Sequence, residues 1–510
     1  MTSRRRFLRT TALAAALAPL WPAGAQEAAK SKAKPKPKPK DKDKPEGVVV
    51  NDTQSQLNST RVFKVVEVNG VEAIRGAFAT AREEEKPICV GGARHAMGTQ
   101  QFATDGVMID TRKMAKVLKL DSERGLVEVE SGIQWPNLFD YLVTEQVGRD
   151  KQWTFSQKQV GADRMTIGGS LSSNIHGRGL ALPPFVADVE AFTLVNHKGD
   201  VVPCSRRENG ELFALAIGGY GLFGIVYSVT LRLVPRKKVE RVVQIRTVDS
   251  APAAFAERLG DGFTYGDLQL SVDDRTDGYL KEGVFTCYRP VADDTPLGAP
   301  QKSLEEKDWA EILLLAHANK AQAYRRLAGY YLQTSGQVMW SDEAQMSAWP
   351  ENYHRDIDRR LQAPRATESV VELLCEREKL PQYLQETRDY AKRNALEVIQ
   401  GTVRLIEEDR ESFLAWARKP FACVTLAVHI EHSTRGLIAA GDHFRRLIDI
   451  ALRHGGGWYP TYRRDALRRQ VDYAFPQFSD FLKLKRKHDP QELFQSDWYR
   501  HYKNMFFFRQ

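Results

Sequence analysis

The fold is organised around a short apolar strand that runs into a glycine-rich turn, Pro87-Ile88-Cys89-Val90-Gly91-Gly92-Ala93-Arg94-His95-Ala96-Met97-Gly98. The turn presents an arginine, a histidine and several backbone N–H groups, and successive turn amides form a concavity that binds phosphate-like anions. Glycine also serves ordinary tight turns, so this stretch alone leaves both interpretations open. A second glycine-rich stretch follows, Thr166-Ile167-Gly168-Gly169-Ser170-Leu171-Ser172-Ser173-Asn174-Ile175-His176-Gly177-Arg178-Gly179. The pair favours an anion-binding site.

The bulk composition is that of a globular protein with more than one domain. The chain has 510 residues, 42% of them hydrophobic and 27% charged, which predicts two or three domains. Its net charge is +9, but residues 1–25 and 26–47 contribute +4 each and leave about +1 for the rest. The body of the chain therefore lacks the basic footprint of a nucleic-acid-binding protein.

The amino terminus has the pattern of an export signal. Three consecutive arginines precede Phe7-Leu8, an apolar run that is too short to span a bilayer, and the small residues Ala23-Gly24-Ala25. Residues 1–25 therefore predict a twin-arginine signal peptide and a periplasmic or otherwise exported protein, and we expect no integral membrane segment. The Lys/Pro repeat that follows predicts a disordered linker over residues 26–55.

Hydrophobic periodicity predicts an α+β protein in two parts. In the first part we expect strands over 62–68, 88–90, 106–110, 117–121, 125–130, 186–196 and 225–234, and helices over 71–85, 133–146 and 208–217. From residue 237 we expect longer strands over 239–248, 283–288, 369–375, 402–406 and 423–430, and helices over 304–334, 379–394 and 437–454. A helical tail is predicted over 465–508.

The run Gly219-Tyr220-Gly221-Leu222-Phe223-Gly224 satisfies the G-x-G-x-x-G pattern of nicotinamide dinucleotide sites. That fingerprint needs a strand before it and a helix after it. Here the predicted helix precedes the run and the predicted strand follows it, which argues against a Rossmann site. The glycines instead let the backbone lie close to something flat or bulky.

Taken together, the three glycine-rich motifs resemble the FAD-binding domain of the vanillyl-alcohol oxidase family. The run Lys485-Arg486-Lys487-His488-Asp489-Pro490 to Phe494-Gln495-Ser496-Asp497 is similar to the end of its sugar and polyol branch, which includes aldonolactone, alditol and decaprenylphosphoryl-ribose oxidases. The resemblance implies a PCMH-type FAD-binding domain in two subdomains over 56–236 and an α+β cap, or substrate, domain over 237–475. It also implies a C-terminal segment, 476–510, that packs back on the FAD domain.

The resemblance also implies FAD as cofactor and a set of residues that hold it. These residues are Gly91, Gly92, Ala93, Arg94, His95, Ala96, Met97, Thr166, Ile167, Gly168, Gly169, Ser172, Asn174, His176, Gly177 and Ile225. Many relatives join the flavin covalently to a histidine at the position of His95. Arg94 and Ala96 depart from the usual glycine and serine, so a covalent bond and a non-covalent pyrophosphate contact both stay open.

For catalysis, the resemblance directs attention to three residues, Tyr462, Glu372 and Arg404. Relatives carry a lysine near the tail in a Tyr-x-x-Lys-like run, and Tyr462 stands at that position here. Glu372 and Arg404 lie on predicted cap strands and resemble the polar pairs that line the substrate side. A packing aromatic and a solvated strand face are the alternatives for these residues.

Two further patterns are not expected to hold a metal ion. His429 and Glu431 share one face of a predicted strand while His432 points away, so we predict no metal there. The five cysteines form no C-x-x-C pair, and a disulfide framework is not expected.

The sequence therefore predicts an exported FAD-dependent oxidoreductase that oxidises an alcohol carbon of a sugar, polyol or lactone by hydride transfer to flavin N5. Oxygen or another acceptor takes the electrons. Two alternatives stay open, namely an FAD oxidoreductase acting on a lipid-linked or sterol-like substrate and a degenerate flavin-carrying envelope binding protein.

Overall fold

Two small sheets surround the first glycine-rich turn. The computed structural model describes residues 47–298 and 301–507. Strands β1 (Val48–Val50) and β2 (Thr60–Val62) form an antiparallel pair, while β3 (Lys64–Glu67) and β4 (Ile88–Gly91) flank β5 (Val107–Asp110) in a parallel sheet. Helix α1 (Val71–Glu83) connects β3 to β4 and buries Ile74 and Phe78. The first glycine-rich turn therefore begins where β4 ends, as the sequence predicts.

The predicted linker ends earlier than residue 55. Val48–Val50 pairs with β2, and Asp52 is buried, with its carboxylate accepting the backbone N–H of Ser55 at 2.5 Å. Apolar and cap-forming residues after Gly47 thus replace the Lys/Pro repeat and allow packing. The predicted signal peptide and residues 26–46 of the predicted linker lie outside the described residues.

A second sheet carries the second glycine-rich stretch. Its strands run in the order β10-β9-β11-β7-β6, with β8 paired to β11, and all pairs are antiparallel. The elements are β6 (Val117–Asp121), β7 (Leu126–Glu130), α2 (Trp135–Glu145), β8 (Trp153–Phe155), α3 (Ile167–Ser173), β9 (Val189–Val195), β10 (Val201–Ser205), α4 (Gly210–Ala216) and β11 (Ile225–Pro235).

The second glycine-rich stretch contains a short helix that hydrophobic periodicity does not predict. Its central residues form helix α3, and the Thr166 hydroxyl caps it by accepting the Gly169 N–H at 3.1 Å. Asn174 ends the helix in the left-handed conformation, with φ of 48°. A capping threonine outweighs the low helix propensity of two glycines.

From Lys238 the chain builds a single large antiparallel sheet. Its strand order is β15-β12-β14-β13-β17-β18-β16-β19. The elements are β12 (Lys238–Thr247), α5 (Ala251–Gly260), β13 (Tyr265–Leu270), β14 (Glu282–Pro290), α6 (Glu306–Ala318), α7 (Lys320–Gln333), β15 (Val338–Trp340), α8 (His354–Leu361), β16 (Ala366–Cys375), α9 (Leu380–Arg393), β17 (Val398–Ile406), β18 (Phe421–Glu431), α10 (Thr434–Arg453) and β19 (Gly457–Trp458). The helix predicted over 304–334 breaks at Asn319, whose side chain accepts the Gln322 N–H at 3.1 Å and starts α7.

The tail consists of three helices, α11 (Arg468–Ala474), α12 (Phe478–His488) and α13 (Asp497–Phe507). The segment between α12 and α13 returns to β4, where the Ile88 N–H donates to Leu493 O at 2.7 Å and the Gln495 N–H donates to Ile88 O at 2.8 Å. Tail and first turn are thus joined through the same strand.

The fold is α+β, as the sequence predicts, and the described residues 47–298 and 301–507 form one compact unit. The predicted boundary between FAD and cap domains falls between β11 and β12, and its position stays a prediction. None of the helices in the described ranges is long and apolar enough to cross a bilayer. All five cysteines are buried and free.

Candidate active site

The glycine-rich motifs converge on one narrow cradle. Its walls come from the loop after β4, from the start of α3 and from the glycine run before β11. A Cβ on Gly92 would stand 2.2 Å from Thr166 Oγ1, and a Cβ on Gly221 would stand 2.3 Å from Val90 Cγ1. The Thr166 and Val90 side chains therefore lie directly against the backbone of these two glycines, where a residue with a Cβ has no room.

The cradle has the donors that a phosphate-bearing cofactor requires. Three buried polar atoms, Arg94 Nε, His95 Nε2 and Ser131 Oγ, have no hydrogen-bond partner among the described residues, and these side chains belong to residues that line the cradle. Buried polar groups without partners are costly, so such atoms mark where a ligand's oxygens are received. These residues fit the pyrophosphate and ribityl part of FAD.

His95 lies where the cradle meets a larger cavity and lines both of them. Burial lowers the pKa of this imidazole to about 4, with the Asp163 carboxylate opposing the shift. At neutral pH the ring is therefore uncharged, and one of its nitrogens carries a free lone pair. The position suits contact with a flavin ring that leaves the cradle for the larger cavity.

The larger cavity, of about 490 Å³, brings together the three residues predicted for catalysis. Glu372 lies on β16, Arg404 lies on β17, and Tyr462 lies in the loop after β19. The sequence separates these residues widely, but β16 and β17 both pair with β18, so the sheet brings Glu372 and Arg404 to one face. The cavity lies within the size range of small-molecule sites.

Glu372 is the most heavily contacted of the three. Its Oε2 lies 2.6 Å from His176 Nε2, and its Oε1 accepts hydrogen bonds from Tyr462 OH at 3.1 Å and Gln159 Nε2 at 3.2 Å. Burial opposes ionisation, but His176, Arg404 and Tyr462 outweigh it and lower the pKa of the carboxyl group. Glu372 is therefore a buried carboxylate with a direct hydrogen bond to a tyrosine on the cavity wall.

The two other predicted residues complement this carboxylate. Burial and the Glu372 charge raise the pKa of Tyr462, which keeps its hydroxyl protonated and able to donate. Arg404 is 5% exposed, and its Nε and Nη1 find no partner in the described parts of the chain. The arginine thus offers donors to a ligand in the cavity.

The predicted cofactor residues do not all reach the cradle surface. The residues on its wall are Gly92, Ala93, Arg94, His95, Ala96, Thr166, Gly168, Gly169 and Ser172, and Met97 lines the larger cavity. The residues behind the walls are Gly91, Ile167, Asn174, His176, Gly177 and Ile225. Their assignment to FAD stays a prediction, and His176 touches Glu372 in the structure.

Several residues of the site carried no sequence signal. A polar segment that the sequence pattern predicts as a loop contains Gln159 and the fully buried Lys158. The Lys158 ammonium pairs with Asp163. The Tyr220 hydroxyl lies 3.0 Å from Thr461 Oγ1 and ties the glycine run to the loop that carries Tyr462. Only the tertiary structure relates these segments, which lie more than two hundred residues apart.

An α+β scaffold with a glycine-lined cradle beside a polar cavity defines a cofactor-binding protein with an adjoining substrate site. Residues 64–205 match the FAD binding domain family. The chain therefore carries an FAD-binding domain, and FAD is its cofactor. The resemblance inferred from the motifs is thereby confirmed.

The proteins to which the chain is similar include lactone oxidases and dehydrogenases and a cytokinin dehydrogenase. L-gulonolactone oxidase of Bos taurus is 33% identical over 166 residues, which is 32% of this chain and 36% of that protein. L-gulono-1,4-lactone dehydrogenase of Mycobacterium tuberculosis is 24% identical over 439 residues, covering 86% of this chain and 95% of that protein. Cytokinin dehydrogenase 7 of Oryza sativa is 28% identical over 216 residues, with 38% of each chain covered. The match thus spans little more than a third of the bovine relative.

Proposed function

We propose that this protein is an FAD-dependent oxidoreductase that oxidises an alcohol carbon of an aldonolactone or a related sugar or polyol. The observation that carries the proposal is the Glu372–Tyr462 hydrogen bond on the wall of a cavity that His95 connects to the FAD cradle. A proton acceptor and a hydride acceptor then face the same substrate. Oxidation of an alcohol needs both.

Bound FAD supplies the acceptor at N5 for the hydride that leaves the substrate carbon. The protein handles the proton of the substrate hydroxyl. Because Glu372 is only 1% exposed and Tyr462 is 7% exposed, the tyrosine is the group that the substrate meets first. Tyr462 takes the hydroxyl proton on its oxygen while its own proton passes to Glu372 Oε1. Arg404 holds the substrate oxygen as its bond to carbon becomes a carbonyl.

The character of the cavity favours a polyhydroxylated substrate without net charge. Its lining contains four acidic and four basic side chains among the described residues, so no single sign of charge dominates. Aromatic side chains such as Trp309, Tyr288 and Tyr331 also line it. Flat aromatic faces pack against the C–H faces of a sugar ring, and the polar groups bind its hydroxyls.

We further propose that the protein is exported by the twin-arginine signal and works in the periplasm. That route carries folded proteins, which agrees with a cofactor inserted before export. Oxygen or another acceptor would take the electrons that the substrate gives up.

The experiment is anaerobic titration of the purified yellow protein with aldonolactones, sugars and polyols. We expect an aldonolactone to bleach the visible flavin absorbance, and readmitted oxygen to restore it if the protein is an oxidase. A flavin spectrum that no member of the panel bleaches would support the binding-protein alternative. Bleaching by lipid-linked or sterol substrates alone would overturn the assignment of substrate class.

A further inference from the structure

A second polar cluster lies on the wall of the large cavity, away from Glu372. Glu368 on β16 and His429 on β18 are directly paired across the antiparallel ladder, so their side chains project on the same face. His317, near the end of α6, packs against this pair, and its Nε2 lies 2.8 Å from Glu368 Oε1. His429 Nδ1 lies 3.9 Å from the same oxygen.

The three facing atoms do not satisfy one another. His317 Nε2, Glu368 Oε1 and His429 Nδ1 are all buried and have no hydrogen-bond partner in the described ranges. A nitrogen and an oxygen 2.8 Å apart that form no hydrogen bond are not aimed at each other. The pair is close enough for an ion pair but lacks hydrogen-bond geometry, and two ligands of one bound ion would have this arrangement.

The other carboxylate oxygen is already held in place. Glu368 Oε2 accepts a hydrogen bond from Tyr353 OH at 2.6 Å, and His354 Nδ1 lies 2.9 Å from it. Outer partners of this kind orient metal-binding carboxylates. Oε1 is therefore the oxygen left to meet the two imidazoles.

We propose that His317 Nε2, Glu368 Oε1 and His429 Nδ1 bind one divalent transition-metal ion of the zinc type. Bonds of about 2.0–2.1 Å place two ligands of one ion at most about 4.2 Å apart. The separations of 2.8 and 3.9 Å from Oε1 satisfy this limit, and the three atoms all lie within 4.8 Å of one another. Two imidazoles and a carboxylate suit zinc and its neighbours better than Mg²⁺ or Ca²⁺.

The ion would fasten α6 to the large sheet at the cavity wall, with its remaining coordination positions open to a small ligand. The sequence-based prediction that no metal binds here considered only His429, Glu431 and His432 as ligands. In the structure His432 turns to Thr367, with its Nε2 2.9 Å from the hydroxyl. The partners of His429 come from two distant segments instead.

The test is calorimetric titration of the flavin-loaded, chelator-treated protein with Zn²⁺, together with elemental analysis of the untreated protein. We expect one ion per chain. Glu368→Gln and His317→Gln should each weaken Zn²⁺ binding at least about tenfold. The matched control is His432→Gln, on the same stretch of chain, which should bind Zn²⁺ as the parent does.

A second measurement keeps the proposal testable if either variant fails to fold. Co²⁺ bound to the parent protein by two imidazoles gives visible ligand-field bands, read as a difference spectrum against the flavin. Absence of saturable Zn²⁺ or Co²⁺ binding to the parent would overturn the proposal. Equal binding by Glu368→Gln and the parent would do the same and would leave a purely hydrogen-bonded cluster.

Discussion

Replacing Glu372 with glutamine probes the proposed proton acceptor with little disturbance of the fold. An amide oxygen still accepts the hydrogen bonds that Tyr462 and Gln159 donate to Oε1. The amide NH₂ can donate to His176 Nε2, whose Nδ1 faces Gly177 O at 3.3 Å. The three hydrogen-bonding partners each keep a role, but Arg404 loses the charge that faces it, so we expect a loss of stability of about 2 kcal/mol.

The effect on the rate should be far larger. Removal of a general base costs about 10²–10⁴-fold, or about 3–5 kcal/mol of transition-state stabilisation. Because Glu372 is 1% exposed, water cannot take over as the base, and we expect the upper half of this range. Stopped-flow measurement of anaerobic flavin reduction isolates this step, with KM changing little.

The pH profile gives an independent check on the same residue. The lowered pKa of Glu372 keeps it ionised at and above its ordinary value of 4.5, so the reduction rate should be flat near neutrality and fall as the pH drops through the lower value. The stability that this ionised carboxylate provides is lost in the same direction, on acidification. A reduction rate for Glu372→Gln within threefold of the parent would refute the proposed role. Glu376→Gln, at the surface just beyond the same strand, is the control.

Three further outcomes are expected. Gly92→Ala should abolish or strongly reduce the FAD that copurifies with the protein, because the added Cβ has no room. The measurement is the ratio of flavin to protein absorbance. The control Gly76→Ala, whose Cβ would have nothing within 4 Å, should keep its full flavin content. If His95 is bonded to the flavin, acid-precipitated protein stays yellow and His95→Ala releases its chromophore; complete release from the parent protein would leave only the non-covalent contact. Asp489→Asn should lower the free energy of unfolding by about 3 kcal/mol, because it removes the charge that faces the fully buried ammonium of Lys485. The control Asp480→Asn, at the surface, should change the free energy of unfolding little. Equal denaturation midpoints for the two variants would contradict this prediction.

The Asp489 prediction depends on how the tail is held. Asp489 receives the ammonium of Lys485 at 2.5 Å and the backbone N–H groups of Leu493 and Phe494 at 3.0 and 2.8 Å. This carboxylate fixes the segment that bonds to Ile88, and so it supports the strand that leads into the FAD cradle.

Local sequence determined much of this protein. The resemblance of three glycine-rich motifs to a known family predicted the FAD-binding domain. The side chains that lie against Gly92 and Gly221 leave no room there for a residue with a Cβ. Apolar runs predicted most long strands, although several of them, such as β16 and β17, are buried on both faces and therefore do not alternate. The order of helix and strand around the run at 219–224 argued against a nicotinamide site.

Which polar residues meet depends on long-range packing. Strand pairing through β18 placed Glu372 beside Arg404, and a loop almost a hundred residues further on supplied Tyr462. No periodicity marks Gln159 or Lys158 as buried, because their burial depends on partners contributed by other segments. His429 shows the same limit: its neighbours in sequence diverge, while Glu368 and His317 reach it through the cross-strand register and the packing of α6. Local sequence sets backbone conformation, and long-range packing sets which charges share a cavity.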